Sequence, residues 1–297
     1  MSYAAAEIAS QPACWRRAVE LSRRDDVQAA LPRAGARVAM VGCGTSLYMA
    51  QAAAALRESA GLGETDAFAA SEFPLEREYE HVVAVTRSGT TTEVLRLLEQ
   101  LPRPRTTVIT TSAEVPAARA AGQSVLLEFA DERSVVQTRF ATTALALWRA
   151  YLGEDLQPAA ADAEAVLHVD EAPDVLARTQ FTFLGTGWTI GLANEAALKL
   201  REAAQAWTEA YPAMEFRHGP ISIADTRSAV WFFGPPPPAL VDEIGRTGAL
   251  IVQSERDPLA QLVQAQRLAV ALAERKGLDA DTPRNLARSI VLSSTAP

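Results

Sequence analysis

Three charged side chains between residues 195 and 202 have the types and spacing that could move a proton. Glu195, Lys199 and Glu202 stand at positions i, i+4 and i+7, so an α-helix would carry all three on one face. A carboxylate held in such a group can act as a general base and carry a proton between neighbouring carbon atoms. The same spacing also occurs in solvated surface salt bridges, and spacing alone does not separate the two interpretations.

A second candidate group is His218, one of three histidines, in the sequence Phe-Arg-His-Gly-Pro at residues 216–220. An imidazole titrates near neutral pH and therefore suits proton transfer to or from an oxygen atom. A simpler alternative is that His218 only caps a loop. The helix that carries Glu202 is expected to reach this loop through an aromatic and proline-containing turn near residues 207–212.

Two strand-to-helix junctions in the first half could bind an anion such as phosphate. An apolar run at residues 38–41 stops at a glycine turn and is followed by an alanine-rich helix, and a second apolar run at 81–85 leads into a hydroxyl-rich loop. Glycines allow close backbone approach, and helix N-termini offer N–H donors. The candidate binding residues are Gly44, Thr45, Ser46, Thr86, Arg87, Ser88 and Thr91. For the first junction the alternative is a glycine turn that only changes the direction of the chain and binds no anion.

The composition is that of an ordinary globular protein. The 297 residues are 48% hydrophobic with a net charge of −8, which argues against a nucleic-acid surface. We find no apolar stretch of the roughly 20 residues that span a bilayer, so no membrane association and a cytoplasmic location are expected. Cys14 and Cys43 have neither metal-ligand nor disulfide spacing. No metal and no cofactor are expected.

The second half repeats the pattern of the first. Another apolar run at 181–184 stops at a glycine turn, and Gly42 and Gly185 are 143 residues apart. Alternating strands and helices predict an α/β fold with two tandem, doubly wound, mainly parallel sheets of the flavodoxin-like type. We place the N-terminal domain at 1–157 and the C-terminal domain at 158–297, with a bridge at 158–173.

Several motifs together resemble the sugar isomerase (SIS) domain family over almost the whole chain. They are the E-I-x-x-Q-P segment at 7–12, the hydroxyl-rich loop at 86–93, His-Gly-Pro at 218–220 and Pro-Arg-Asn-Leu-Ala at 283–287. The family includes the isomerase half of glutamine:fructose-6-phosphate amidotransferase and amino-sugar-phosphate deaminases. In its second phosphate loop a serine commonly stands where this chain has Thr86, which keeps the hydroxyl.

The resemblance implies roles for particular residues. Glu202 would be the proton-transfer base and His218 would enter the site of a neighbouring subunit, which implies a homodimer. Lys199 would hold the substrate or orient Glu202, and Glu195 would also contact the substrate. Glu132, Val135 and Gln137 would face the sugar, and a capped helix start is the alternative for their segment. The family's ring-opening lysine is replaced by Arg288. A guanidinium cannot form an imine, so the C2 chemistry would proceed without one or use Lys199.

These features favour a phosphosugar isomerase or deaminase acting on a hexose or amino-hexose 6-phosphate through an enediol or enolamine. Met1 is not followed by a cysteine nucleophile, so no glutaminase domain is expected. Two alternatives stay open. One is a plain aldose–ketose phosphosugar isomerase of a specialised pathway, and the other is a non-catalytic sugar-phosphate-binding protein.

Overall fold

The computed structural model describes residues 2–169 and 171–292 and groups the chain into two compact units. The N-terminal unit comprises Cys14–Glu132, Arg139–Asp155 and Ala287–Pro297, and the C-terminal unit comprises Met1–Ala13, Arg133–Thr138 and Leu156–Leu286. The main boundary lies close to the predicted junction at 157 and 158, but each chain terminus is grouped with the other unit. Residues 1, 170 and 293–297 of the predicted domains lie outside the described residues.

The α-helices are numbered here in chain order. They are α1 Tyr3–Ala9, α2 Gln11–Ser22, α3 Asp25–Ala30, α4 Thr45–Ser59, α5 Thr92–Gln100, α6 Pro116–Ala120, α7 Arg139–Tyr151, α8 Gln157–Leu167, α9 Pro173–Leu176, α10 Thr189–Ala204, α11 Leu240–Gly245 and α12 Pro258–Arg275. In the described part of the chain, none of them combines the length and the apolar character needed to cross a bilayer.

The N-terminal unit contains a five-stranded sheet. Its strands are β1 Val38–Gly42, β2 Thr65–Ala69, β3 His81–Val85, β4 Thr106–Thr110 and β5 Gln123–Leu126. The spatial order is β2-β1-β3-β4-β5, and neighbouring strands are parallel. This is the doubly wound order of flavodoxin-like folds, in which ligands bind outside the carboxyl ends of the strands.

Helices bury their apolar sides against this sheet. Val94, Leu97 and Leu98 of α5 share one face because of their helical spacing, and they pack into a core with Ala39 and Val41 of β1. Alternate residues of a strand point to opposite faces, so the rest of β1 is covered from the other side, where α4 packs on β1 and β2. The sheet is therefore buried on both faces, as a parallel sheet requires.

The C-terminal unit contains a four-stranded parallel sheet. Its strands are β6 Gln180–Gly185, β7 Trp207–Pro212, β8 Ser228–Phe233 and β9 Leu250–Val252, in the order β7-β6-β8-β9. The order repeats that of β2-β1-β3-β4, and β1 and β6 end at the two glycines that the sequence aligns. The prediction of two tandem, doubly wound parallel sheets is confirmed.

Two local expectations are wrong. Residues 207–212, expected to form a turn, are the edge strand β7, which pairs with β6 along six residues. Residues 158–173, expected to bridge the domains, mostly form helix α8, whose buried alanines pack against α12 within the C-terminal unit. Small side chains allow this close helix packing, so the alanine-rich composition of the segment indicates a buried helix and not a linker.

Candidate active site

Glu195, Lys199 and Glu202 lie on one face of α10, as their spacing predicts. The Nζ atom of Lys199 lies 3.4 Å from Glu195 Oε1, and it also donates a hydrogen bond to Glu202 Oε2. The side chains of Glu195 and Lys199 are 0% and 1% exposed, whereas that of Glu202 is 18% exposed. Buried charges of this kind need partners, and the two carboxylates and the ammonium provide them for one another. A solvated surface stripe is therefore excluded, and Glu202 is the member that reaches solvent.

The start of α10 is fixed by a glycine and a threonine. A Cβ atom at Gly185 would lie 2.4 Å from the carbonyl oxygen of Thr189, so only glycine lets the strand end come this close to the helix. The Thr189 hydroxyl accepts a hydrogen bond from Thr186 N at 2.8 Å and lies 2.9 Å from Phe233 O, to which it donates. These hydrogen bonds join the end of β6, the end of β8 and the start of α10, the helix that carries Glu195, Lys199 and Glu202.

His218 ends a short 3-10 helix, Ala213–His218, that follows β7. Phe216 is fully buried and Arg217 pairs with Glu243 at 2.7 Å, so the loop is anchored on both sides of its tip. His218 itself is exposed, and among the described residues its imidazole forms neither a hydrogen bond nor an ion pair with Glu202. Gly219 has φ 133°, a conformation that favours glycine, and it turns the chain away after His218.

A short segment of the C-terminal unit, residues 133–138, carries two further predicted sugar contacts. The Val135 N–H donates to Asp281 O at 2.9 Å, and the Glu7 carboxylate accepts the Arg133 N–H at 2.5 Å. Within residues 2–169 and 171–292, the buried Nε2 atom of Gln137 makes no hydrogen bond. A buried amide donor without a partner costs stability, and a sugar oxygen could satisfy it.

Glu7 is a residue whose role the sequence did not reveal. It stands in the E-I-x-x-Q-P segment, is 4% exposed, and holds the backbone N–H groups of Arg133 and Ser134. A buried glutamate in an otherwise apolar helix was the available signal, because such a group needs a local partner. Glu7 thereby fixes the segment that carries Gln137.

At the first glycine turn, the side-chain hydroxyls are better candidates for binding an anion than the backbone N–H groups. Gly44 has φ 53°, and a Cβ atom at Gly42 would lie 2.5 Å from the Ser46 carbonyl carbon. The Ser46 N–H already donates to Cys43 O at 3.1 Å, and the Leu47 N–H to Gly44 O at 3.0 Å. The expected free N–H donors at these two positions are thus engaged within the turn. The Thr45 and Ser46 side chains are about 95% buried at the start of α4.

Cys43 lies in the same turn but is not a nucleophile. Burial, with a smaller contribution from the Glu93 carboxylate, raises the pKa of its thiol to about 11. The thiol therefore remains protonated at neutral pH, and a protonated thiol is neither a nucleophile nor a good metal ligand.

The second loop brings Ser88 and Thr91 together. Their hydroxyl oxygens are 3.5 Å apart and partly exposed, whereas Thr86 is buried and its Oγ1 atom accepts the Gly89 N–H at 3.3 Å. Gly89 has φ 61°, and a Cβ atom there would lie 2.2 Å from Val115 Cγ2. The loop conformation consequently depends on a glycine between the two partly exposed residues Ser88 and Thr91.

Arg87 and Arg288 are both paired with carboxylates of the N-terminal unit. The Arg87 guanidinium lies 3.4 Å from Glu132 Oε2, with both side chains buried, and donates to Arg288 O at 3.2 Å. Arg288 lies 2.5 Å from Asp131 Oδ1 and donates to Glu132 O. The charge of Arg87 is thus balanced by Glu132. The structure places Arg87 behind the hydroxyl loop and not among its exposed groups.

The predicted residues are thus divided between the two units. The C-terminal unit holds the charged group of Glu195, Lys199 and Glu202, the anchored loop of His218, and Gln137 with its Nε2 atom unpartnered among the described residues. The N-terminal unit holds a hydroxyl cluster suited to phosphate. No group of three or more histidine, cysteine, aspartate or glutamate side chains arranged for a metal ion occurs within the described part of the chain.

The chain shares its fold with solved structures of two enzymes that act on sugar phosphates. The chain superposes on glucosamine-6-phosphate deaminase from Thermotoga maritima with a TM-score of 0.79 and 23% identity, covering 98% of this chain and 100% of the deaminase. For tagatose-6-phosphate ketose/aldose isomerase from Escherichia coli the TM-score is also 0.79, with 20% identity and 99% and 97% coverage. At these identities the likeness establishes the shared fold.

The chain is also similar in sequence to glutamine–fructose-6-phosphate aminotransferases. The chain is 28% identical over 313 residues to glutamine–fructose-6-phosphate aminotransferase (isomerizing) of Idiomarina loihiensis, covering 86% of this chain and 51% of the relative. The match to the enzyme of Bacteroides thetaiotaomicron is also 28% identical, over 317 residues. The chain spans about half the length of these relatives. No protein-family model matches it. The resemblance to SIS proteins, including the aminotransferase, is confirmed.

Proposed function

We propose that the chain is a phosphosugar isomerase or amino-sugar-phosphate deaminase that moves a proton between C1 and C2 of an open-chain hexose 6-phosphate. The observation that carries this function is the stripe on α10, in which Lys199 links a buried Glu195 to a partly exposed Glu202. A carboxylate at the edge of a buried charged group is positioned as a general base, because its neighbours fix its orientation.

The hydroxyls of Ser88 and Thr91 bind the sugar phosphate, with Thr45 and Ser46 as further donors. His218 opens the ring by proton transfer at the ring oxygen, acting in the site of a second copy of the chain. Two observations support this role: the loop around His218 is anchored, and the imidazole itself is exposed.

In the open-chain aldose, Glu202 removes the C2 proton while the carbonyl oxygen on C1 gains a proton, which gives the enediol. Return of the proton to C1, with loss of the proton on O2, gives the ketose. When C2 carries an amino group, the same transfers give a C2 imine, and addition of water with departure of ammonia completes a deamination. A general base contributes roughly 10²–10⁴-fold to such a step.

The residues present fit a reaction in which the protein forms no imine with the sugar. Arg288 cannot form an imine, and its guanidinium is paired with Asp131. Lys199 is buried between two carboxylates that engage its Nζ atom, so this amine is not available to attack a carbonyl carbon. Lys199 therefore orients Glu202 and balances its charge.

The test is incubation in D₂O with hexose, ketose and aminohexose 6-phosphates, following deuterium at C1 and C2 and ammonia release by NMR. Glu202→Gln should lower exchange by about 10²–10⁴-fold. Glu58→Gln, on the exposed surface of α4, is the matched control and should exchange at the wild-type rate.

The outcomes separate the possible functions. Exchange with ammonia release identifies a deaminase, and exchange without it identifies a plain aldose–ketose isomerase. Binding of a sugar phosphate without any exchange identifies a non-catalytic sugar-phosphate-binding protein. Exchange that Glu202→Gln leaves unchanged refutes the assignment of the base.

A further inference from the structure

The C-terminal tail, residues 287–292, lies along the hydroxyl-rich loop within the N-terminal unit. The Thr92 N–H donates to Ile290 O at 3.1 Å, and the Leu292 N–H donates to Thr92 Oγ1 at 2.9 Å. Arg87 holds the carbonyl of Arg288, 3.2 Å away. The tail is therefore attached to the loop on both sides of residue 289, which fixes the position of that residue.

Ser289 places its hydroxyl among those of the loop. Its Oγ atom accepts hydrogen bonds from Thr90 Oγ1 at 2.9 Å and from Ser88 Oγ at 3.1 Å, and it lies 3.5 Å from Thr91 Oγ1. Ser88 and Thr91 are the partly exposed residues assigned above to phosphate binding. Ser289 itself is partly exposed.

We infer, on the basis of the function proposed above, that Ser289 is a further phosphate-binding residue, contributed by the tail. The oxygens of Ser88, Thr91 and Ser289 form a triangle with sides of 3.1, 3.5 and 3.5 Å. One anionic oxygen about 2.7 Å from each of three hydroxyl oxygens fits over a triangle of this size. The tail thus adds a third hydroxyl to the two of the loop, and the Ser88 hydroxyl, which donates to Ser289 in the structure, turns its hydrogen to the anion when a phosphate binds.

The hydrogen-bond directions leave the Ser289 proton for a ligand. Because the Ser289 oxygen already accepts from Ser88 and Thr90, its own hydrogen must point elsewhere. The remaining neighbour, Thr91 Oγ1, lies at 3.5 Å, which is at the limit of a hydrogen bond. A phosphate oxygen is a stronger acceptor than a hydroxyl, so it would take this proton preferentially.

Isothermal titration calorimetry with fructose 6-phosphate and glucosamine 6-phosphate tests the inference, with inorganic phosphate as competitor. Ser289→Ala should weaken binding of the bound sugar phosphate by about 10-fold or more, and weaken competition by inorganic phosphate in parallel. Ser289→Thr keeps the hydroxyl and should bind like the wild type. Ser289→Asp places a negative charge in the cluster and should weaken binding further than Ser289→Ala.

Ile290→Ala is the matched tail control. Its side chain is 48% exposed and the contact to Thr92 uses the Ile290 backbone, so binding should stay at the wild-type level. Thermal unfolding of each variant verifies that the fold is kept.

If the wild type binds a sugar phosphate, two results would overturn the inference. Equal affinity of Ser289→Ala shows that the hydroxyl does not bind the phosphate, and tighter binding shows that it competes with the phosphate. A wild type that binds no sugar phosphate refutes the proposed function itself and the role of Ser289 with it. That result is distinguishable because it precedes any comparison of variants.

Discussion

The Nζ atom of Lys199 lies 3.4 Å from Glu195 Oε1, and both side chains are almost completely buried in the C-terminal unit. Burying an ammonium or a carboxylate alone costs far more free energy than burying the two as a pair. The stability of the protein therefore depends on both side chains being present. This dependence gives the first prediction.

Lys199→Met should lower the free energy of unfolding by about 3–5 kcal/mol, because it leaves the Glu195 carboxylate buried without its cation. Urea unfolding followed by circular dichroism measures the change. The double variant Glu195→Gln/Lys199→Met removes both charges and should recover part of the loss. An unfolding midpoint of Lys199→Met equal to that of the wild type would contradict the dependence.

Mixing two inactive variants tests the assignment of His218 to a neighbouring subunit. Glu202→Gln and His218→Ala should each be inactive alone, yet their mixed dimers should regain activity, because one of the two sites in a mixed dimer has both groups. Random pairing restores about one site in four. The measurement is deuterium exchange after the two proteins are unfolded and refolded together. No recovery would indicate that both groups act from the same chain.

Borohydride trapping tests imine-free chemistry at the protein. We expect wild-type protein incubated with sugar phosphate and borohydride to show no mass increase, because Arg288 cannot form an imine and two carboxylates engage the buried Nζ atom of Lys199. Arg288→Lys introduces a primary amine at that position and should give a trapped adduct by mass spectrometry. An adduct on Lys199 in the wild type would overturn the expectation.

Gly89→Ala should destabilise the N-terminal unit by about 1–3 kcal/mol, because the added methyl group would overlap the Val115 side chain. The positive φ of Gly89 adds to this cost. Gly245→Ala is the control, because its φ is not positive and no heavy atom lies within 4 Å of the added carbon. The midpoint of thermal unfolding should fall for Gly89→Ala and should stay at the wild-type value for Gly245→Ala.

The stability of the protein should fall in mildly acid solution partly because of His81. Burial, and to a smaller degree the charge of Arg57, lowers the pKa of His81 below its usual value. Below about pH 6.5 the unfolded chain therefore takes up a proton that the folded chain resists. The contribution of His81 to stability is fully present above that pH and is lost as the pH falls toward the folded pKa.

The measurement is the free energy of unfolding at pH 7.5 and at pH 5.5. The decrease should be larger in the wild type than in His81→Gln, whose amide can still bond Thr107 as the imidazole does at 2.8 Å. His168→Gln, at an exposed position, should behave like the wild type. Equal decreases in wild type and His81→Gln would show that other groups control the acid response.

The sequence predicts the central strands β1 and β6 because each of them ends at a local signal, whereas β2 was not predicted. Gly42 and Gly185 mark strand ends at which the helix must approach the backbone closely, and such a requirement is visible in a single residue. β7 was missed because Trp207–Pro212 contains a proline, lies at the sheet edge and leaves Trp207 75% exposed. An edge strand needs no apolar alternation, so its pattern resembles that of a turn.

The candidate site was predictable in its residues but not in their partners. Helical spacing places Lys199 between two carboxylates, yet spacing cannot show that two of the three are buried. The contact between Ser88 and Ser289 joins residues 201 apart in the chain, and that of Arg87 with Glu132 joins residues 45 apart. No local pattern carries such pairings, because they depend on the completed fold.

The grouping of each chain terminus with the opposite unit bears on how the protein can be divided and tagged. A fragment beginning near residue 158 would lack α1, whose Tyr3 and Ala4 N–H groups bind the Asp281 carboxylate, and the complementary fragment would lack the tail. Neither half is therefore expected to behave as an autonomous module. Affinity tags belong at the N-terminus with a spacer, since a C-terminal tag would be attached only a few residues after the segment that contacts the hydroxyl cluster.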